Sequence, residues 1–147
     1  MIVRFLKNPP AARADHLTCT RADGTTWETE LPRAGVLPLL AMRHVIESSL
    51  GLKQGWFGSV ARSGEPDDRS DDARISLILA HLTQAEQWGG ASTPDVFRQK
   101  LAAACADAGL PAPDITDRQL ADLRADLRAF GALWRPLNAG QYHETTW

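Results

Sequence analysis

The chain has 147 residues, 44% hydrophobic and 23% charged, with a formal net charge of −2 and a pI near 6.1. That length suits one domain, residues 1–147, burying roughly two thirds of its unfolded surface. The charge gives no electrostatic case for nucleic acid or an anionic membrane, which usually demand a basic stripe, and no apolar run approaches a membrane span.

MIVRFLKNPP reaches Pro9 before a signal-peptide core could form, which predicts a cytoplasmic protein. Cys19 and Cys105 lie far apart with no CxxC and read as buried, reduced thiols.

In chain order, residues 2–6 (IVRFL) predict a short strand, stopped by Pro9-Pro10. Residues 16–21 and 25–31 flank Asp23-Gly24, a hairpin signal. A two-residue loop would mix apolar and polar side chains on both faces. A loop of Ala22, Asp23 and left-handed Gly24 pairs Cys19 with Trp27 and Leu17 with Thr29. It gathers Leu17, Cys19, Trp27 and Leu31 on one face, so the bulged loop is expected.

Pro32 stops the strand, and residues 33–36 cross over to a helix starting near Pro38. Its inward arc is Leu39, Met42, Val45, Ile46 and Leu50. Arg43, His44, Glu47 and Ser48, with Leu40, form the opposite arc, which reads most simply as a polar helix face. Gly51 caps the helix, and residues 55–61 (GWFGSVA) read as a tight turn and a short strand.

After an acidic loop, Asp71 or Asp72 is expected to cap a helix over residues 73–88. Its core arc is Ile75, Ile78, Leu79, Leu82 and Ala85. Leu77 and Trp88, with His81 between, suggest a second packed flank, and Glu86 falls oddly inside the core arc. Ser92, Thr93 and Pro94 start the next helix. Thr116 and Gln119 form a capping box for the last one, with Ile115 and Leu120 as its staple. Leu120, Leu123, Leu127, Phe130 and Trp134 recur at helical spacing as core positions. Residues 137–147 alternate like a final strand. The predicted fold is α+β: a small antiparallel sheet of about four to five strands, covered on one face by about four helices.

With these residues in place, the chain resembles a family of bacterial proteins of unassigned activity. Their pattern is a DG hairpin, a helix like HDLxHxxVE, LGL, GFxGxxA and a C-terminal tryptophan–glycine strand. The matching positions are Asp23-Gly24, His44 to Glu47, Leu50-Gly51-Leu52, the GWFGSVA run, Trp134 and Gly140. The resemblance is densest over residues 21–61. It implies no particular activity. The family's first histidine and aspartate are replaced here by Leu40 and Ala41. A histidine pair one helical turn apart would grip a metal; with Leu40 present, only His44 and Glu47 remain.

His44 and Glu47 lie about 60° apart on the helical wheel and could line one pocket. With a recruit among His81, Glu86, His16 or His143 they would make a divalent-metal or acid–base centre. No GxSxG occurs, neither cysteine has a histidine at motif spacing, and residues 55–58 lack a phosphate-loop pattern. Tryptophan is abundant, and one left exposed beside the central helix would make a binding patch or homodimer surface. The first expectation is a small soluble bacterial protein that binds a protein partner or small ligand, with Arg43, His44, Glu47 and Trp56 as candidate contacts. The alternative is a metal-dependent or acid–base, hydrolase-like enzyme centred on His44 and Glu47.

Overall fold

The computed structural model describes residues 1–33 and 35–147; Ala34, inside the expected crossover, lies outside the described residues. The chain order is β1 (Ile2–Leu6), β2 (Ala14–Thr20), β3 (Thr26–Pro32), α1 (Leu39–Leu50), α2 (Trp56–Ser63), α3 (Asp71–Gly89), α4 (Pro94–Asp107), α5 (Asp117–Trp134) and β4 (Tyr142–Thr146). The strands form one antiparallel sheet in the order β3-β2-β1-β4. This is the expected α+β fold.

The hairpin takes the bulged register. Cys19 pairs with Trp27 and Leu17 with Thr29, and Gly24 sits at φ 81°. Sheet alternation then sends Val3, Phe5, Leu17, Cys19 and Leu31 into the core. The outer face is polar, with Arg4 paired to Glu144 and His16 to Glu28. Cys19 and Cys105 are buried and unpaired, and burial pushes the Cys19 thiol up to about 12.

Three helix expectations are corrected. First, residues 56–63 form helix α2, not a strand, which gives five helices. Its N-cap Gly55 brings no side-chain cap; the cap comes from Glu47, eight positions earlier in sequence. Second, the polar arc of α1 is largely enclosed, Ser48 alone of its members being exposed. Every residue from Ala41 to Glu47 is buried, because the sheet, α2, α3 and α5 enclose the helix. Third, α3 is packed less on its second flank than expected. His81 is exposed and Trp88 is 71% exposed.

Local signals explain the remaining ends. Ser70, not Asp71 or Asp72, caps α3 by accepting the Ala73 N–H, while Asp72 accepts the Gln54 N–H. Thr93 caps α4. Both halves of the Thr116–Gln119 capping box form on α5, and Leu120, Leu123, Leu127, Phe130 and Trp134 are buried. Glu86 is explained by Arg124, whose guanidinium donates to both carboxylate oxygens at 3.0 and 2.6 Å. The final strand begins at Tyr142 rather than Leu137, after a turn through Gly140 at φ 84°. No described helix is long and apolar enough to cross a membrane.

Candidate functional site

Glu47 is fully enclosed. One carboxylate oxygen accepts the Trp56 N–H at 3.0 Å and the other accepts the Phe57 N–H at 3.0 Å. These are among the N–H groups that open α2 and have no partner within that helix. The carboxylate therefore caps α2 from outside and sits against the positive end of its dipole. The Ser76 hydroxyl donates a third bond at 2.7 Å, and Arg43 Nε stands 3.8 Å from the same oxygen.

Arg43 extends this cluster. Its Nε donates to the Ser76 hydroxyl oxygen at 3.1 Å, one terminal nitrogen to Asp68 at 2.7 Å, and the other to the Ala73 carbonyl at 2.9 Å. Burial pushes the Glu47 carboxyl above its ordinary range; the Ser76 hydroxyl, the Phe57 N–H, Arg43 and the Trp56 N–H pull against it.

Two glycines make the close approach of chain segments here geometrically feasible. A Cβ on Gly55 would overlap the Glu47 carboxylate carbon, and one on Gly58 would overlap the Lys53 carbonyl. Gly55 has φ −66°, so its requirement is space, not backbone conformation. Arg43, Glu47 and Trp56 are thus brought together, Trp56 through its backbone N–H. Its ring packs edge-on to Trp27 at 5.0 Å.

His44 faces elsewhere. It is 4% exposed, with its ring edge-on to Phe57 at 5.0 Å, Phe5 at 5.8 Å and Trp147 at 5.9 Å. Its Nε2 is buried and has no hydrogen-bond partner. Burial first, and the nearby His143 second, push its pKa down to about 4, so the ring is neutral near pH 7.

The polar groups near this ring form a crevice of about 250 Å³ where α1, α5 and β4 meet. Its lining includes His44, Ser48, Ser49, Asp126, Leu133 and His143. His143 packs edge-on to Phe130 at 5.2 Å, and burial lowers its pKa too. Glu47 does not reach this crevice. It borders a second groove of about 570 Å³ with Lys53, Gln54, Arg62 and Trp147, and the two hollows share Ser48 and Thr146.

Of the expected recruits, only His143 arrives beside His44. His16 bonds Glu28 at 2.8 Å on the outer sheet face, His81 is exposed on α3, and Glu86 pairs with Arg124. Among the described residues no group of three His, Cys, Asp or Glu side chains is placed to hold a metal ion. Leu40, standing where the resemblance would place a histidine, packs partly buried against the core. Ser76 was not expected; a lone serine within the apolar run of α3 was the available signal. Ser48, on the expected polar arc, does reach the crevice. No protein-family model, no curated protein and no solved structure matches the chain.

Proposed function

We propose that the protein is a binding module whose recognition surface is the crevice between α1, α5 and β4, with His44 and His143 as its polar contacts. The observation that carries this reading is the crevice itself, which gathers His44, Ser48, Asp126 and His143 beside the exposed Leu133. Concave sites with a few convergent polar groups beside apolar side chains are the usual places where a ligand or partner is held. A neutral imidazole suits a hydrogen bond to a small ligand or to a partner's backbone. The enzyme reading at His44 and Glu47 has less support. Both Glu47 oxygens are occupied by bonds within the fold, and the two side chains border different hollows. Two unpaired buried thiols suit a reducing bacterial cytoplasm.

The test is a fragment screen, using small acids, amides and short peptides, read by backbone amide NMR. Shifts clustered on Ser48, Ser49, His143 and Thr145, and lost in Leu133→Glu, are expected. Shifts clustered elsewhere, or none, would overturn the reading. So would elemental analysis finding a stoichiometric metal that His44→Ala releases.

A further inference from the structure

A further hollow, of about 460 Å³, lies where β1 ends, β2 begins and the chain leaves α5. That volume suits a small molecule. Sheet alternation supplies its charged walls. Val3 and Phe5 face the core, and Lys7 continues that side just past the end of β1. Leu17 and Cys19 face the core from β2, and Asp15 continues their side. The register pairs Leu6 with His16, so one step further sets Lys7 opposite Asp15. Opposite charges placed across strands normally attract and pair. Here no ion pair joins them among the described residues. The Lys7 ammonium lies instead over the Trp134 ring, 5.0 Å from its centre.

Other groups hold Asp15 in place. It is 4% exposed. One carboxylate oxygen accepts the Asn8 N–H at 3.0 Å, Arg33 Nε at 3.1 Å and one Arg33 terminal nitrogen at 2.9 Å. The other oxygen accepts no bond from a described residue. Arg33 has no donor left for a ligand. Its remaining N–H groups go to the carbonyls of Asn8, Pro9, Pro10 and Ala12. The Lys7 ammonium donates to no described acceptor. The lining therefore offers one ammonium and one open carboxylate oxygen, each fixed on a core-facing position beside the other.

We propose that this hollow binds a small monocarboxylate that carries a hydroxyl beside its carboxyl group and a short apolar tail. The ligand carboxylate takes the Lys7 ammonium. The ligand hydroxyl donates to the open Asp15 oxygen. The tail lies against Val36, Leu37 and Leu137. Charge selects a hydroxyl over an amino group at the second position. Arg33 already neutralises Asp15, so Lys7 leaves the lining one positive charge in excess. A hydroxy acid cancels that charge. An amino acid, being zwitterionic, does not, and its ammonium would stand beside the Arg33 guanidinium. The inference goes beyond the crevice reading and uses none of the crevice's residues.

Titration with 2-hydroxy-4-methylpentanoate, followed by backbone amide NMR, tests this. Two analogues accompany it: 4-methylpentanoate, which lacks the hydroxyl, and leucine, which has an ammonium in its place. Saturable shifts of the Asn8, Asp15 and Asn138 amides are expected with the hydroxy acid. Either analogue should bind at least about tenfold more weakly. Lys7→Met keeps the stem over Trp134 and removes the charge. It should weaken the hydroxy acid at least about tenfold and leave the rest of the amide spectrum unchanged. The absence of saturable shifts at millimolar acid overturns the inference. So does either analogue binding as tightly as the hydroxy acid, or full affinity in folded Lys7→Met. The three ligands decide the matter even where that variant does not fold. Repeated in Lys7→Met, the fragment screen reads the crevice alone, so either site can fail without the other.

Discussion

Replacing Gly55 by alanine is expected to cost about 3–5 kcal/mol of stability, because the added methyl occupies the place of the Glu47 carboxylate. The backbone contributes little, since Gly55 has φ −66° and ψ −172°, which alanine adopts freely. What is lost is the cap: two buried N–H bonds, one to each oxygen of the carboxylate, each 3.0 Å long. Bonds to charged groups contribute about 1.5–3 kcal/mol each. Displacing the carboxylate also strains its contacts with Ser76 and Arg43. Urea unfolding followed by tryptophan fluorescence measures the change. A double-mutant cycle isolates it: in a Glu47→Ala background, Gly55→Ala should cost no more than about 1 kcal/mol, the ordinary difference at an N-cap. A cost below about 1 kcal/mol in the wild-type background, or strict additivity with Glu47→Ala, would refute the reasoning.

The other predictions concern single side chains. His44 is held neutral with a pKa near 4, against an ordinary 6.5. The stability this contributes is full above pH 6.5 and is lost as pH falls toward 4, by about 3 kcal/mol. Urea midpoints should fall across that window and fall less in His44→Phe; equal slopes would disprove it. Ser76→Ala removes the Glu47 donor and the acceptor of Arg43 Nε. It should cost about 1–3 kcal/mol by thermal or urea unfolding. Trp88→Ser should change stability by less than about 0.5 kcal/mol, because the ring is largely exposed. Trp134→Ala should cost about 3–5 kcal/mol, since that ring is 3% exposed; similar unfolding midpoints for the two variants would contradict this.

Features set by neighbours in sequence were legible before any coordinates. Alternation around Asp23-Gly24 fixes the hairpin register, because only one loop length keeps Leu17, Cys19 and Trp27 together. Thr116 and Gln119 announce α5 because both halves of a capping box lie within one turn. Helix α2 was not legible. Its cap lies on another helix, and Trp56, Phe57 and Val60 favour strands when read alone. The burial of Arg43 and Glu47 was hidden for the same reason. Their partners Ser76 and Asp68 are distant in sequence, and a wheel drawn from one helix sees only polar residues. Of the candidate contacts, periodicity placed His44 and Glu47 on one arc but could not separate their two directions.

The pairing of β1 with β4 also sets the order in which the molecule can be completed. Arg4 and Glu144 lie 140 positions apart. During synthesis on a ribosome, the hairpin of β2 and β3 and all five helices emerge while β1 still lacks a neighbour on one side. The ladder that finishes the sheet, and with it the shelter over His44 given by Trp147, closes last. Long-range strand pairing is slow compared with local helix formation. Until it is made, β1 exposes an unsatisfied edge beside Val3 and Phe5, and that interval is when this chain is most open to aggregation.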